Sequence, residues 1–339
     1  MKKNLILADC DHSELESFID GIRYEGIEIY CYSVISNGGR EKPFSNFVRY
    51  SKYFLTPLKV FIKRKQYGCL VGWQQFYALI FCFWSQLFHV KKVNKVIALN
   101  FTYKRKHGLC GVVYEWFMKK CVCNNYLDYM HVPSYEYADI FSKEFGISRD
   151  KFIVTAFGVD DNRDIYSRLE KPGQAPKEGY ALAIGRSNRD YDYLIRTWEQ
   201  IDYNLVIISD EYIRSDLPDN ITLINDVSGD AQYPWIANCN FMIIPIKDTS
   251  ICSGDTVLLT AMSLEKTIFV TSPSTLAEMY VENGVNAIFI SKDEEESRKT
   301  LQKYINNGMA NDIGILARKT FLEKYSRYAM GRRVASFLK

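Results

Sequence analysis

The feature that most constrains the fold is an alternation of short apolar strands with helical segments, which runs through the chain twice. In the first half, strand-like segments such as Leu5–Ala8 and Cys69–Val71 alternate with helix-like ones. The same pattern starts again at Tyr180–Ile184. Such alternation predicts an α/β fold with parallel sheets covered by helices on both faces. Ligands of these sheets bind beyond the carboxyl ends of the strands.

The chain length indicates two domains, because 339 residues exceed what one hydrophobic core usually fills. The sequence turns polar after Asp160, which is typical of an interdomain linker. We therefore predict an N-terminal domain over residues 1–160, a linker over 161–179 and a C-terminal domain over 180–315. Residues 316–339 are predicted to form a helix that packs back towards the N-terminal domain.

Four local patterns give specific expectations. A helix over Ser13–Tyr24 is predicted with Ser13 as its N-cap, and Asn37-Gly38-Gly39 is typical of a turn. A helix from Phe44 to Lys65 is expected to break at Pro57. A single helix is expected over Asp312–Leu338.

Neither a membrane span nor a secretion signal is expected. The apolar segment Phe76–Val90 is fifteen residues long, short of the roughly 20 that cross a bilayer, and it predicts a buried helix. The N-terminal apolar stretch is too short for a signal peptide. The nine cysteines lack zinc-site or CxxC spacing and indicate a reducing cytosol.

The charge is unevenly distributed along the chain. Residues 1–160 contain 22 Lys/Arg and 15 Asp/Glu, and the Arg40–Lys120 stretch contains 16 Lys/Arg and two acids. Aromatic residues are interleaved with these charges: Phe44, Phe47, Tyr50, Tyr53, Phe54 and Phe61. A cationic aromatic helix suits an anionic membrane surface. A face made basic only for solubility is the alternative, and no nucleic-acid recognition module accompanies the charges.

Two segments of the second half are candidate anion sites. Ser253-Gly254-Asp255-Thr256 precedes an apolar helical run, and unpaired backbone N–H groups at a helix start attract anions. Arg186 and Arg189 lie three residues apart on a loop that opens another helix, where two guanidinium groups can clamp a diphosphate. Taken singly, each segment also fits a solvated loop that binds nothing.

Taken in order, the motifs of the second half resemble those of the family 4 glycosyltransferases, from about residue 95 to the C-terminus. The matching stretches are Phe157-Gly158-Val159-Asp160, Gly185-Arg186, Thr260-Ala261-Met262-Ser263 with Lys266-Thr267-Ile268, and Thr275–Ile290 with Glu278, Gly284 and Asn286. Arg189 stands where many members carry a lysine.

The resemblance implies the GT-B architecture, in which two Rossmann-like domains have parallel sheets that face each other across a cleft. It also implies a nucleoside-diphosphate sugar donor, retention at the anomeric carbon and no metal or other cofactor. The donor-binding residues would be Gly185, Arg186, Arg189, Ser253, Gly254, Asp255, Thr256, Thr260 and Glu278.

The acceptor is expected on the N-terminal domain. Asp9, Asp11 and His12 follow the first strand, where a carboxylate or imidazole can orient or deprotonate an acceptor hydroxyl. Surface roles for these residues, and structural roles for Asp128 and His131, are the alternatives.

Three positions depart from the family pattern. Cys252 and Thr260 stand where members often carry two glutamates, and Asn100-Phe101-Thr102 replaces a segment that usually contains a histidine. Thr260 offers the donor ribose a weaker hydrogen bond than a carboxylate does.

The leading hypothesis is sugar transfer to an oligosaccharide or lipid-linked glycan in cell-surface polysaccharide synthesis, by a cytoplasmic protein peripheral to the inner face of the membrane. The departures leave two alternatives. One is a catalytically degenerate partner or scaffold protein at the membrane. The other is a nucleotide-sugar epimerase of the same fold.

Overall fold

The computed structural model describes residues 2–34 and 43–339, without the side chains of 43–47, so the expected turn at Asn37-Gly38-Gly39 lies outside the described residues. The chain forms two compact units. The first contains Met1–Asp160 and Arg327–Lys339, and the second contains Asp161–Ser326. Residues 161–179, predicted as a linker, therefore belong to the second unit in this division, and the chain returns to the first unit at Arg327.

Two parallel sheets carry the described part of the chain. The strands of the first unit are β1 (Lys3–Ala8), β2 (Ile29–Ser33), β3 (Tyr67–Gly72), β4 (Lys95–Ala98), β5 (Tyr129–Val132) and β6 (Phe152–Val154). Those of the second are β7 (Ala181–Ile184), β8 (Leu205–Ile208), β9 (Ile221–Ile224), β10 (Phe241–Ile244), β11 (Thr267–Thr271) and β12 (Ile288–Ile290). Their orders are β2-β1-β3-β4-β5-β6 and β12-β11-β10-β7-β8-β9.

Helices connect these strands in the alternation that the sequence predicts. They are α1 (Glu16–Tyr24), α2 (Pro43–Ile62), α3 (Gln75–Leu87), α4 (Gly108–Val122), α5 (Tyr135–Phe145), α6 (Arg163–Tyr166), α7 (Tyr191–Trp198), α8 (Tyr233–Asn238), α9 (Asp255–Ser263), α10 (Thr275–Tyr280), α11 (Glu294–Asn306), α12 (Asp312–Thr320) and α13 (Arg327–Ala335).

Both faces of the first sheet are buried. Leu5 and Leu7 of β1 lie in a core formed with α2, α3, α4 and α5. Ile6 and Ala8 alternate with them along the strand and lie in a second core, formed with α1 and α13. Since neighbouring side chains of a strand point to opposite faces, an uninterrupted apolar strand such as β1 requires helices on both sides.

Two glycines allow α13 to pack closely on α1. A Cβ atom on Gly331 would lie 2.1 Å from the carbonyl oxygen of Phe18, and one on Gly21 would lie 2.1 Å from that of Tyr328. Both distances are far below van der Waals contact. The C-terminal helix therefore reaches the first unit through a contact that only residues without a side chain permit.

The apolar segment predicted as a buried helix forms α3. Tyr77, Ala78, Leu79, Ile80, Phe81 and Cys82 are buried in the first core. Within the described residues, no helix has both the length and the apolar character that a membrane span requires.

Two expected helix features are wrong. Asp11, not Ser13, caps the N-terminal helical segment: Oδ1 of Asp11 accepts a 2.9 Å hydrogen bond from the Ser13 amide, and Glu14 bonds back to the Asp11 amide. Helix α2 also continues through Pro57. Burial of Tyr53, Val60 and Phe61 on both sides of the proline outweighs the backbone hydrogen bond that the proline removes.

The expected single helix over Asp312–Leu338 is wrong as well. After α12 the chain makes a π-helical turn over Phe321–Tyr325, and Ser326 is extended. A distant partner accompanies the interruption, because the Arg327 amide donates a 2.9 Å hydrogen bond to the Val159 carbonyl instead of continuing the helix.

Candidate functional site

The carboxyl edge of the second sheet has a topological switch point. Strands β7 and β10 are neighbours, and the chain continues from β7 towards β9 on one side and from β10 towards β12 on the other. The loops after β7 and β10 therefore diverge and leave a crevice between them, where ligands of such sheets bind. The expected donor residues Gly185, Arg186 and Arg189 lie on the first loop, and Ser253 and Gly254 lie on the second. Asp255 and Thr256, also expected, begin helix α9.

Hydrogen bonds join the two loops to each other. Asn188 accepts a 2.7 Å bond from the Asp248 amide through Oδ1 and donates a 2.9 Å bond to the Asp248 carbonyl through Nδ2. The Ser253 hydroxyl donates to the Ser187 carbonyl at 3.3 Å. Asn188 adopts a positive φ of 56°, which asparagine tolerates better than most residues. The structure thus brings together two segments that are about 65 residues apart in sequence.

Arg189 lies inside this junction. Its guanidinium donates to the carbonyls of Ile184 at 3.3 Å and Ser187 at 3.1 Å. A Cβ on Gly185 would lie 2.9 Å from Nη2 of Arg189, and one on Gly254 only 2.4 Å. Burial lowers the pKa of the guanidinium, although an arginine keeps its charge at neutral pH. Arg189 therefore fills the space that both glycines leave and adds positive charge beneath the loops.

Arg186, by contrast, is open to solvent. Its side chain is 61% exposed, and Nη2 lies 3.4 Å from Oδ2 of Asp210, which follows β8. Ion pairs this exposed contribute little free energy, so an anionic ligand can replace the carboxylate. Of the two expected arginines, Arg186 is the one whose guanidinium is available for direct contact with a ligand.

The N-terminus of helix α9, which is the positive end of its dipole, lies next to the junction. Its N-cap is Gly254 with a φ of 100°, and no side chain of the N-cap closes the helix. Oδ1 of Asp255 accepts a 2.9 Å bond from the Thr256 amide. The partial positive charge of a helix start stabilises an anion. Because Gly254 has no side chain, a ligand can also approach its backbone closely.

Thr260 and Glu278 differ in their surroundings. Thr260 is buried, and its hydroxyl donates a 2.8 Å hydrogen bond to the Thr256 carbonyl within α9. Glu278 is exposed on α10, a helix capped by the hydroxyl of Ser274. The Thr275 amide donates to the Thr249 carbonyl at 2.9 Å, so the start of α10 is tied to the loop after β10.

In the first unit, the three expected acceptor-side residues are in different environments. Asp9 lines a cavity of about 210 Å³ at the carboxyl edge of the sheet, and its Oδ2 accepts a 2.9 Å bond from the Tyr53 hydroxyl. Asp11 is the helix cap described above, and hydrogen bonds from Ser13 lower its pKa. His12 is exposed in the following helical turn. Only Asp9 of the three lines this cavity.

The other residues of this cavity come from the loops after β3 and β4: Trp73, Gln74, Gln75, Asn100 and Thr102. Gln75 ties the two loops together, since Nε2 donates to the Thr102 carbonyl at 3.0 Å and Oε1 accepts from the Thr102 amide at 3.1 Å. The sequence predicts for Tyr53 only a place among the aromatic residues of the basic helix, and it assigns no role to Gln75. The only available signal was position, because the polar residues directly follow the ends of buried strands.

Asn100 has an unsatisfied polar atom at this cavity. Its Oδ1 is buried without a hydrogen-bond partner, and its backbone has a positive φ of 53°. The Asn100 amide donates to Nδ1 of His131 at 3.2 Å. A buried acceptor without a donor is unfavourable by about 1–3 kcal/mol, so a ligand or water that donates to Asn100 would remove this penalty.

His131 supports the loop from beneath. Its Nε2 lies 2.8 Å from the Thr155 carbonyl, while Nδ1 accepts from Asn100, so the neutral ring carries its proton on Nε2. Burial lowers the pKa of His131 to about 4. The side chain of Asp128 accepts from the Val96 amide and from Lys92. The hydrogen bonds of His131 and Asp128 therefore fit the structural roles that the sequence offers as the alternative for both.

Within the described ranges 2–34 and 43–339, no group of three or more His, Cys, Asp or Glu side chains is placed to bind a metal ion.

Comparison with solved structures shows what the chain is similar to. A glycosyltransferase from Rickettsia africae covers 100% of this chain and 98% of its own, with a TM-score of 0.63 and 12% identity. Anabaena HepE, solved in complex with UDP, covers 99% of both chains with a TM-score of 0.62 and 12% identity. WaaG, a glycosyltransferase involved in lipopolysaccharide biosynthesis, covers 99% of both with a TM-score of 0.59 and 11% identity.

These similarities confirm the expected α/β fold with two parallel sheets, which is the fold of the GT-B glycosyltransferases. Comparison with protein-family models found no match. Comparison with curated proteins found none either.

Proposed function

We propose that this protein is a glycosyltransferase that moves a sugar from a nucleoside-diphosphate sugar to a glycan acceptor. The observation that carries the proposal is the loop junction at the switch point of the second sheet. There the exposed Arg186 is held, through the Ser187–Ser253 hydrogen bond, on a loop tied to the start of α9. Fold neighbours include Anabaena HepE, which was solved with UDP and with UDP-glucose.

The donor diphosphate would be bound by two sources of positive charge. Arg186 would exchange its carboxylate partner, Asp210, for phosphate oxygens, which its planar guanidinium can contact in pairs. The first turn of α9 after Gly254 would contribute backbone N–H groups. Charge on the departing diphosphate grows during transfer, and fixed positive groups stabilise this charge. Because these groups supply positive charge at the diphosphate, they support a proposal of transfer without a metal. We also propose that the transferred sugar keeps its anomeric configuration.

The acceptor would be bound by the first unit. Asp9 is the carboxylate of the small cavity at the edge of that sheet, beside the unsatisfied Oδ1 of Asn100. An acceptor sugar supplies hydroxyl donors to both oxygens. Asp9 can thereby orient an acceptor hydroxyl and take up its proton.

We further propose a role in cell-surface polysaccharide synthesis at the inner face of the membrane. The basic stretch Arg40–Lys120 and the exposed aromatic side chains Tyr50, Phe54 and Trp116 support this location. Cationic and aromatic groups together favour an anionic lipid interface.

A catalytically degenerate partner or scaffold protein at the membrane is the second candidate, and Thr260 favours it. The hydroxyl of Thr260 donates its proton within its own helix. It can therefore offer the donor ribose only a neutral acceptor, which is weaker than the carboxylate that members of the family often carry at this position.

Isothermal titration calorimetry with UDP and GDP, followed by assays with UDP- and GDP-sugars, tests the proposal. Saturable binding of one nucleotide and sugar transfer to a glycan are expected. Absence of binding to every nucleotide would contradict the proposal. Binding without transfer would favour the degenerate protein, and product formed without any acceptor would indicate an epimerase.

A further inference from the structure

The first unit contains an open apolar groove among helices α2, α3 and α4. Its volume is about 690 Å³. The lining includes Tyr50 and Phe54 of α2, Ile80 of α3, and Leu109, Val113 and Trp116 of α4. Cavities of this size bind small ligands, and the nearly continuous apolar lining indicates a hydrocarbon ligand.

Aromatic contacts join the three helices at the groove. The rings of Phe54 and Phe117 are 5.7 Å apart, and those of Phe83 and Phe117 are 5.4 Å apart. Nε1 of Trp84 also donates to the Phe54 carbonyl at 3.4 Å. The lining residues of α4 extend from Leu109 in its first turn to Phe117.

Two aliphatic side chains that line the groove are strongly exposed. Leu109 is 88% exposed and Val113 is 65% exposed, although both are aliphatic. A contiguous exposed apolar surface of this kind marks an interaction site rather than a surface adapted to water.

Positive charges flank the apolar lining. Lys106 lines the groove, with Nζ 4.4 Å from the ring centre of Tyr114. Arg49 lies over the ring of Tyr50 at 5.4 Å, and Lys104 is exposed just before α4. Glu115 of α4 is paired with Lys119 at 2.6 Å. The groove therefore combines an apolar interior with a cationic edge, which is complementary to an amphiphile that has an anionic head.

The groove lies next to the candidate acceptor cavity. Tyr53 lines the groove, and its hydroxyl donates to Asp9 in the cavity. Phe76 lines the groove and the adjacent Gln75 lines the cavity. The groove and the cavity are therefore neighbours on the first unit.

We propose that this groove binds the hydrocarbon chain of a phosphate-bearing lipid to which the acceptor glycan is attached. The assignment of that lipid as the acceptor rests on the proposed function, whereas binding of the chain does not. The cationic edge binds the phosphate and the groove removes the chain from water. The protein therefore recognises the lipid part of its acceptor as well as the sugar.

Calorimetry with monomeric hexyl, octyl and decyl phosphate, each below its micelle concentration, tests the groove in the full-length protein. Each buried methylene is expected to tighten binding about fourfold, from its transfer free energy. Equal affinity across the series would overturn the proposal, because surface attraction of the phosphate alone does not depend on chain length.

Two neighbouring valines provide a matched pair of variants. Val113 lines the groove, whereas Val112 is equally exposed, at 67%, and is not among the lining residues. We expect Val113→Asp to weaken decyl phosphate binding at least tenfold and Val112→Asp to change it less than twofold. Equal losses in both variants would instead indicate general adsorption of lipid to the face of α4 and would contradict the proposal that the groove is the binding site.

A measurement on the unaltered protein gives independent evidence. Cys110 is exposed and lines the groove, and Cys123 is exposed beyond the other end of α4. Decyl phosphate should slow maleimide labelling of Cys110 but not of Cys123, as followed by peptide mass spectrometry. Unchanged labelling of Cys110 at saturating decyl phosphate would contradict the proposal. None of these experiments uses a nucleotide, so absence of binding to both UDP and GDP would contradict the proposed function without affecting these results.

Discussion

The hydroxyl of Tyr53 donates a 2.9 Å hydrogen bond to Oδ2 of Asp9. The two residues are 44 positions apart in sequence, and they belong to different features of the first unit. Tyr53 lines the apolar groove, whereas Asp9 lines the polar cavity at the end of β1. This bond orients the carboxylate and makes Asp9 the best candidate among the acceptor-side residues.

Replacing Asp9 by Asn should slow sugar transfer by about 100-fold, which is the usual contribution of a general base. The affinity for the nucleotide should not change, since the candidate donor residues belong to the other unit. Initial rates at saturating donor, together with nucleotide calorimetry, measure both effects. Asp11→Asn is the matched control, because asparagine caps a helix as well as aspartate does. Equal rate losses in the two variants would exclude a specific role for Asp9.

Replacing Arg186 by Ala should reduce kcat/KM by about 100-fold, as expected for removal of one charge that stabilises the leaving group. Thermal stability should stay the same, because the pair with Asp210 is exposed. Arg196→Ala is a suitable control: Arg196 is also an exposed arginine of the second unit with one carboxylate partner, Glu294. A folded Arg186→Ala protein with an unchanged transfer rate would contradict the assignment of Arg186 to donor binding.

Replacing Gly254 by Ala should destabilise the second unit by at least about 1–2 kcal/mol, the cost of a left-handed backbone for a residue with a side chain. The new Cβ would also lie 2.4 Å from Nη2 of Arg189. A decrease of several degrees in Tm is expected. Gly173→Ala is the control, because a Cβ there meets no atom within 4 Å. If the two variants melt at the same temperature, Arg189 does not pack against Gly254 as described.

His131 should make folding stability depend on pH. Its folded-state pKa is about 4, below the value of about 6.5 in the unfolded chain. The unfolded state therefore binds more protons between these values, and stability is complete above pH 6.5 and is lost as the pH falls towards 4. About 2 kcal/mol should be lost between pH 7 and pH 5.

Urea unfolding of the unaltered protein and of His131→Gln at both pH values measures this dependence. The glutamine variant should be less stable at pH 7 and should lose less stability on acidification, since it has no titrating ring. An identical loss in both proteins would show that other groups cause the pH dependence.

The strand–helix alternation could be predicted from sequence because it depends on local patterns. Strands such as β7 and β10 are continuous apolar runs, and α5 begins at Ser134, a residue type typical of the N-cap. The sequence also indicated that the candidate donor residues belong to two loops after strands. Loop positions follow from the ends of apolar runs, and so they need no knowledge of the fold.

Helix boundaries were less predictable where distant partners determine them. Pro57 does not break α2, because burial of its neighbours outweighs the lost hydrogen bond. Ser326 ends a helix because Arg327 bonds to Val159, more than 160 residues earlier. Neither partner is visible in a local window of sequence.

The amino-acid sequence by itself determined the class of fold, the two α/β units and the loops that carry the donor candidates, since these follow from apolar periodicity and helix-start residues. Only the tertiary structure decided which arginine is open to a ligand and which fills the space beside two glycines. It likewise decided that Asp9, rather than Asp11 or His12, lines a cavity and that the aromatic residues of α2 and α4 form a groove. The physical reason is that burial, hydrogen-bond partners and cavity walls depend on residues that are far apart in the chain and meet only in the folded protein.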